Sequence, residues 1–238
     1  MSAELATASF RTESGVTEDE SWTLVDSATL SGTVPWRTFR WYKGQRHYSG
    51  IYWCATMRDH VIYESRLELS RLIFADFDRA VHRILAQPFL LKVKIDGKIR
   101  KHIPDYFLAT DHGPVVVDVK PEHLLARPKV AFTFEWTRRL VEARGWRYEV
   151  WSEPRSPELE NLRFLAGYRR PWLFDVALLD RVRAADVEGR TFGEAVCGVD
   201  DCDPAAARAA VLHLLWRGEL ETDLGTPLSD RHQLARPA

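Results

Sequence analysis

The chain has 238 residues, of which 45% are hydrophobic, and its 33 Lys and Arg residues nearly balance its 34 Asp and Glu residues, giving a net charge of −1. At roughly 100–200 residues per domain, this length predicts one large domain or a medium domain with a small one, and the apolar fraction suffices for a packed core. The balanced charge excludes binding of nucleic acid through net charge alone, so any such affinity must come from local basic patches.

The three cysteines, Cys54, Cys197 and Cys202, are too few and too unevenly placed for a disulfide scaffold. No second Cys or His pair stands at zinc-finger spacing from Cys197 and Cys202, which favours structural roles for them. The sequence shows neither a signal peptide nor an apolar run of membrane-spanning length. We therefore expect a cytoplasmic protein with no membrane contact.

Residues 1–30 carry six acidic side chains against a single Arg11, diluted with small polar residues. Such a composition buries little apolar surface, so it predicts a disordered acidic tail. The remainder is expected to form one domain over residues 31–155 and a second over residues 156–238.

A segment rich in aromatic and basic residues, "PWRTFRWYKGQRHYSGIYWC", follows at residues 35–54. Two interpretations fit it. In the first, Arg37, Arg40, Lys43 and Arg46 contact DNA phosphates while the rings stack or pack. In the second, it is an ordinary aromatic hairpin that turns at Lys43 and Gly44, since aromatic residues are favoured in strands.

The middle of the chain predicts a mixed α/β fold. Residues 61–77 have the apolar spacing of an amphipathic helix, on which Glu64 and Glu68, four residues apart, would share one face. The Asp96-Gly97 pair predicts a β-hairpin, and three consecutive valines from Val115 predict a buried strand. A helix over residues 128–144 then leads to the strand "RYEVW". A helical crossover implies parallel pairing, so the sheet should be mixed.

The segment "IPDYFLATDHGPVVVDVK" places charges at the ends of two neighbouring strands. Asp118 and Lys120 lie two residues apart and should therefore point to the same side, with Asp105 within reach from the preceding strand. Two carboxylates can bind Mg²⁺, and a lysine beside them can orient or deprotonate a water for attack on phosphorus. The alternative is a surface salt bridge between Asp105 and Lys120, with Glu64 and Glu68 on a solvated helix face.

"PDYFLATDHGPVVVDVK" resembles the PD-(D/E)xK nuclease motif, and "YESRLELSRLIFADFDRAVHRILAQPF" before it resembles the TnsA-type endonuclease subunit of heteromeric transposases. The resemblance covers roughly residues 36–152 and implies a restriction-endonuclease-like mixed sheet flanked by helices. It implies that Glu68, Asp105 and Asp118 hold Mg²⁺, for which Mn²⁺ can substitute, that Val119 joins the metal-contacting positions, and that Lys120 activates water. Glu64 is a possible accessory acid. The family often has Gln or Glu at the position of Asp118.

The resemblance also implies a function: an endonuclease subunit that cleaves one strand of double-stranded DNA at transposon ends. Its partners would be a DDE-type transposase subunit and an ATPase regulator subunit. Two alternatives stay open, a stand-alone restriction or repair nuclease using the same residues, and a non-catalytic protein that binds or bridges DNA.

The C-terminal part predicts helices followed by a short polar hairpin, with Asp203 and Pro204 at the start of the last helix. This order suggests a small winged-helix-like domain. Acidic residues crowd its first half, which disfavours phosphate contacts there. We therefore expect the part from about Arg170 onward to be a separable module that binds a partner protein.

Overall fold

The computed structural model describes residues 6–15, 17–37, 48–199 and 202–237. The chain divides into two compact units, Met1–Glu153 and Pro154–Ala238. The division lies two residues before the domain boundary expected from the sequence. Within the described ranges, no helix combines the length and the apolar composition needed to cross a membrane.

The first unit contains both strands and helices, and β6 to β10 follow one another without a helix between them. Its strands are β1 (Thr7–Thr12), β2 (Thr17–Ser21), β3 (Thr33–Val34), β4 (Gly50–Cys54), β5 (Asp59–Tyr63), β6 (Val81–Ala86), β7 (Leu90–Ile95), β8 (Lys98–His102), β9 (Tyr106–Thr110), β10 (Gly113–Val119) and β11 (Arg147–Trp151). Its helices are α1 (Ser27–Ser31), α2 (Arg66–Phe77), α3 (Glu122–Leu125) and α4 (Pro128–Glu142).

The central sheet has the order β11-β10-β9-β6. β10 pairs antiparallel with β9 and parallel with β11, and α4 forms the crossover between the two parallel strands. The valines of β10 are buried on both faces, which explains the unbroken apolar run. The predicted mixed α/β class and parallel pairing are thus confirmed.

The prediction of a disordered acidic tail over residues 1–30 is wrong. β1 pairs with β2, β3 and β7, and it belongs to a second sheet with the order β2-β1-β7-β8. Ala8 and Phe10 point into the core, and the indole of Trp22 donates to the carbonyl of Leu140 in α4 at 2.9 Å. The prediction failed because it used composition alone. A few apolar residues spaced two apart are enough to bury one face of a strand, while polar residues occupy the other face. Residues 1–5 and 16 lie outside the described part.

The helix expected over residues 61–77 is shorter than predicted. Residues up to Tyr63 belong to β5, and α2 begins at Arg66 after Ser65, whose hydroxyl caps it by accepting from the amide of Glu68. Glu64 therefore precedes the helix, and the prediction that Glu64 and Glu68 share a helical face is wrong. The sequence Ser65-x-x-Glu68 is a helix start signal that outweighs the apolar spacing before it.

Two antiparallel hairpins complete the first unit. The predicted hairpin at Asp96-Gly97 is confirmed, since it joins β7 to β8 and both residues have positive φ, 48° and 75°. β4 pairs with β5 across a turn at residues 55–58. The predicted turn at Lys43 and Gly44 lies outside the described residues, as do Arg40, Lys43 and Arg46.

The second unit is mainly helical. It contains α5 (Ser156–Leu165), α6 (Val176–Ala184), α7 (Phe192–Cys197) and α8 (Pro204–Trp216), with short 3₁₀ turns at Ala166–Tyr168 and Pro171–Leu173. As predicted, Asp203 caps α8, accepting from the amide of Ala206 at 3.0 Å. Two isolated antiparallel bridges, Thr191 with Gln233 and Glu221 with Ala235, tie the C-terminal segment to the helices.

Candidate active site

A cavity of about 710 Å³ opens in the first unit where β10 ends and β9 begins. Arg37, Lys101 and His102 contribute to its wall. The cavity is also lined by every acidic and basic residue predicted from the nuclease motif, and by the valine between Asp118 and Lys120: Glu64, Glu68, Asp105, Asp118, Val119 and Lys120.

Asp105 is fixed by backbone pairing on both sides. Its amide donates to the carbonyl of Val117 at 3.0 Å, and its carbonyl accepts from the amide of Gln87 at 2.8 Å. Its Oδ2 accepts from the amide of Val119 at 2.6 Å. Burial raises the pKa of Asp105 well above its usual range, and the neighbouring charges of Asp118 and Glu68 raise it further. Asp105 therefore lies in a site with excess negative charge.

Asp118 lies near the end of β10 and is only 2% exposed. His102 Nε2 lies 2.8 Å from each of its carboxylate oxygens, and the hydroxyl of Tyr148 donates to Oδ2. Burial and the Asp118 charge raise the pKa of the Tyr148 hydroxyl, so it remains a donor at neutral pH. These two partners orient the carboxylate within the buried end of the sheet.

Glu68 belongs to the first turn of α2. Its Oε1 accepts from the Ser65 hydroxyl at 2.9 Å, and its Oε2 accepts from the Glu64 amide at 2.7 Å. Burial raises the pKa of Glu68 above its usual value, with a further contribution from Glu64. The carboxylate thus has a capping role as well as a place in the cavity wall.

Helix α2 is anchored to the sheet by an ion pair one turn after Glu68. Arg71 contacts Glu149 of β11 through two hydrogen bonds, Nε to Oε1 at 2.9 Å and Nη2 to Oε2 at 3.1 Å. A two-pronged guanidinium contact fixes orientation as well as distance. The pair therefore holds the start of α2, and Glu68 with it, at the cavity.

Glu64 belongs to a separate hydrogen-bond cluster on the cavity wall. Gln87 Nε2 donates to Glu64 Oε1 at 2.7 Å, and Gln87 Oε1 accepts from the amide of Arg37 at 2.9 Å. The guanidinium of Arg37 lies 3.6 Å from Glu64 Oε2, and its side chain is 57% exposed. Arg37, predicted to contact DNA, is thus at the rim of the cavity and partly neutralised by Glu64.

Lys120 follows β10, and its amide donates to the carbonyl of Trp151 at 2.9 Å. Burial raises the pKa values of Glu68 and Asp105, and the charge of Lys120, which lines the same cavity, acts in the opposite direction on both. No ion pair within 4.0 Å joins Asp105 to Lys120 in the described part of the chain, which disfavours the simple salt-bridge interpretation. The lysine instead offsets part of the negative charge of the cavity.

The donor set fits a hard divalent cation in its chemistry, since Mg²⁺ prefers carboxylate oxygens. Among the described residues, however, no three His, Cys, Asp or Glu side chains have converged to ligand distance of a single point. The hydrogen bonds explain this, because Asp118 is oriented by His102 and Tyr148 and Glu68 by Ser65 and the Glu64 amide. Metal binding through all three carboxylates requires the side chains of Asp118 and Glu68 to reorient.

Three residues of the site escaped sequence reasoning: Gln87, His102 and Tyr148. Tyr148 is opposite Val116 in the parallel register, two pairs before Asp118, so its role follows only once that register is known. His102 could have been suspected, because it stands three residues before Asp105 and closes the strand of the Asp96-Gly97 hairpin. Gln87 has a positive φ of 48°, and no local sequence motif predicts this conformation.

The first test concerns the two glutamates. Glu68→Gln is expected to abolish metal-dependent DNA cleavage, because the amide keeps an oxygen for the cap but loses the charge that binds a cation. Glu64→Gln, the matched control, should retain at least partial activity, since Glu64 bonds mainly to Gln87 and Arg37. Cleavage assays on both variants would contradict this assignment if Glu64→Gln were inactive and Glu68→Gln active.

The second test concerns the partners of Asp118. His102→Gln and Tyr148→Phe are each expected to change Mn²⁺ affinity by about 10- to 100-fold, the usual effect of residues that orient a metal ligand. Isothermal titration without DNA measures this directly. Tyr63→Phe, a change of another partly buried tyrosine hydroxyl, serves as the control. Mn²⁺ affinities within twofold of the wild type in both variants would contradict the orienting role.

No protein-family model and no curated protein matches the sequence.

Proposed function

We propose that the first unit is a Mg²⁺-dependent DNA endonuclease of the PD-(D/E)xK type. The observation that carries the proposal is the meeting of Glu68, Asp105, Asp118 and Lys120 on one cavity. The order of elements supports it: an acid from α2, an aspartate before β9, an Asp-x-Lys sequence at the end of β10, and a crossover helix to a parallel strand. In this proposal the central sheet is a restriction-endonuclease-like core.

Each residue would have a separate task. Glu68, Asp105 and Asp118 would hold the cation, which when bound would polarise the scissile phosphate and lower the pKa of water. Lys120 would donate a hydrogen bond that orients the attacking water and would offset negative charge as it develops on the phosphate. His102 and Tyr148 would orient the Asp118 carboxylate. The amide of Val119 would fix Asp105 through the bond that it donates.

We further propose that this nuclease acts as a subunit, cutting one strand at transposon ends beside a DDE-type transposase and an ATPase regulator. The second unit would be winged-helix-like and would bind a partner protein. Support comes from α8, whose side chains from Val211 to Trp216 are all buried. Only its N-terminal half is left to contact DNA, and that half is mostly alanine. This function implies a cytoplasmic location with access to DNA.

Nicking of supercoiled plasmid tests the nuclease proposal. The wild-type chain with Mg²⁺ or Mn²⁺ should convert supercoiled DNA to open circles, and Asp105→Asn should not, because the amide has no charge for the cation. A transposase or ATPase subunit added to the assay tests for dependence on partners. Absence of nicking by the wild type with either metal, alone and with such partners, would refute the proposal.

One observation favours a second candidate, a non-catalytic protein that binds or bridges DNA. Asp118 already has both oxygens in hydrogen bonds to His102 and Tyr148. If those bonds are permanent, the cluster is structural and divalent cations will not bind. Isothermal titration of Mn²⁺ into wild type and Asp118→Asn separates the two candidates, since only a metal site gives binding that disappears in the variant.

A further inference from the structure

The β7–β8 hairpin concentrates positive charge in a chain of nearly zero net charge. From Leu90 to His102 it carries four lysines and one arginine against the single acid Asp96. Lys94, Lys98 and Lys101 are exposed, and none of them forms an ion pair with any described residue. Lys92, by contrast, lies 3.2 Å from Asp19 and is partly neutralised. Three lysines are therefore left to attract an external anion.

The hairpin leads from solvent into the candidate active site. Lys101 contributes to the cavity wall, and the next residue, His102, contacts Asp118. At about 3.4 Å per residue, the tip at Lys98 lies about 13 Å from His102 along the strand, which matches about four base pairs of duplex. A ligand that contacts both ends must therefore be a polymer longer than a nucleotide.

The charge of the cavity makes such a surface necessary. Glu64, Glu68, Asp105 and Asp118 all line it, so four carboxyl groups are concentrated in one cavity. A phosphodiester backbone approaching these carboxylates is repelled unless cations outside the cavity hold it. The hairpin supplies those cations next to the opening.

We propose that the β7–β8 hairpin binds the phosphate backbone of duplex DNA and positions it over the cavity. The phosphate-contacting residues are Lys94 and Lys101, which share one face of the hairpin, and Lys98, which lies next to the turn. This inference rests on the proposed nuclease function and adds a DNA surface outside the aromatic and basic segment at residues 35–54. Arg100 is excluded from the contacting set because its guanidinium packs over the Phe132 ring, 5.0 Å from its centroid.

A plainer role for these lysines is protection of a sheet edge. β8 is the last strand of its sheet in the order β2-β1-β7-β8, and lysines on an edge strand discourage pairing with another copy. Ile99, which is 67% exposed, would favour such pairing. The two roles differ in outcome, because loss of edge protection promotes self-association whereas loss of phosphate contacts weakens binding to DNA.

The test compares the wild-type chain with the triple variant Lys94→Gln, Lys98→Gln, Lys101→Gln. Fluorescence anisotropy with a duplex DNA, without divalent metal, gives the affinity over about 50 to 200 mM salt. At about 0.9 per phosphate contact, the slope of log K against log salt should fall by about 2.7, and the affinity at the lowest salt by at least about tenfold. Circular dichroism and gel filtration should show an unchanged fold and a monodisperse chain.

A control variant removes the same charge elsewhere: Arg58→Gln, Arg139→Gln, Arg147→Gln. Arg58 lies in the β4–β5 turn, at the opposite end of β5 from Glu64. Arg147 begins β11, at the end of the strand that is far from Lys120. Arg139 pairs only with the exposed Glu135. For this variant, the slope of log K against log salt should differ from the wild-type slope by no more than about 0.9, the value of one phosphate contact.

Each remaining outcome decides the inference. It is overturned if the wild type does not bind DNA or if the lysine variant binds DNA like the control. It is also overturned if the only change in the variant is self-association, or if the substitutions weaken binding to RNA but not to DNA. Nicking on the same preparations separates the two claims. A chain that binds DNA through the hairpin but never nicks it retains this inference and refutes the nuclease, whereas nicking with hairpin-independent binding refutes this inference alone.

Discussion

A Lys120→Met variant is expected to nick DNA about 10²- to 10⁴-fold more slowly than the wild-type chain, the range by which loss of a group that handles a proton in the transition state lowers a rate. Methionine keeps the length and apolar stem of the side chain but removes the ammonium group. Because Lys120 opposes the negative charge of Glu68 and Asp105, its removal should also make Mn²⁺ bind at least as tightly as before. Rate and metal affinity thus change in different directions.

Single-turnover nicking and isothermal titration measure the two quantities on the same preparation. Lys129→Met, which removes an exposed lysine from the first turn of α4, is the matched control and should retain most of the activity. A Lys120→Met variant that nicks within tenfold of the wild type would show that this lysine has no part in the chemistry. Loss of Mn²⁺ binding together with activity would instead indicate a structural role.

Asp105→Asn is expected to make the metal-free protein more stable, although it should abolish the proposed nicking activity. Burial and the charges of Asp118 and Glu68 raise the pKa of Asp105 in the folded state well above the unfolded value of about 3.9. The folded state therefore binds more protons than the unfolded state from about pH 4 up to the raised pKa, so stability is full below this window and falls as pH rises through it. Asparagine removes the cost of burying a negative charge beside Asp118 and Glu68, and its side-chain oxygen can still accept the hydrogen bond from the Val119 amide.

Thermal unfolding of the metal-free chain between about pH 4 and pH 8 measures the effect. At neutral pH the melting temperature of Asp105→Asn should exceed that of the wild type by at least about 2 °C, since about 1 kcal/mol shifts it by 2–4 °C in a chain of this size. The melting temperatures of the two proteins should become equal at the acid end of this range. Mn²⁺ should raise the melting temperature of the wild type only.

Glu135→Gln provides the control for that experiment, because it neutralises an exposed carboxylate, 55% accessible, in a surface pair with Arg139. Exposed helical pairs contribute only about 0.3–0.5 kcal/mol, so its pH profile should follow the wild type. A lower melting temperature for Asp105→Asn at neutral pH would mean that the cavity does not concentrate negative charge.

The parts of the site that the sequence predicted depend on short-range signals. Asp96-Gly97 defines a tight turn, the valines of β10 define a buried strand, and strand alternation then places Asp118 near Asp105. These relations involve neighbouring strands, so pattern and turn chemistry are enough to derive them. The meeting of Asp105, Asp118 and Lys120 in one cavity follows from the same reasoning.

The parts that the sequence did not predict depend on pairing over long distances. β1 is stabilised by β7, more than eighty residues later, and composition alone did not reveal that partner. The contact of Tyr148 with Asp118 depends on the register between β10 and β11. The start of α2 was misplaced because the apolar pattern continues from β5 into the helix, and only the Ser65 cap separates them.

The most direct test of the central claim is anomalous diffraction from crystals of the wild-type chain soaked in Mn²⁺. If the cavity binds metal, a peak should appear between Glu68, Asp105 and Asp118, with carboxylate oxygens as ligands at roughly the 2.0–2.2 Å expected of a small divalent cation. The Asp118 carboxylate should then have reoriented relative to its hydrogen-bonded position. A cavity without a peak at saturating Mn²⁺, with Asp118 still bonded to His102 and Tyr148, would contradict the central claim.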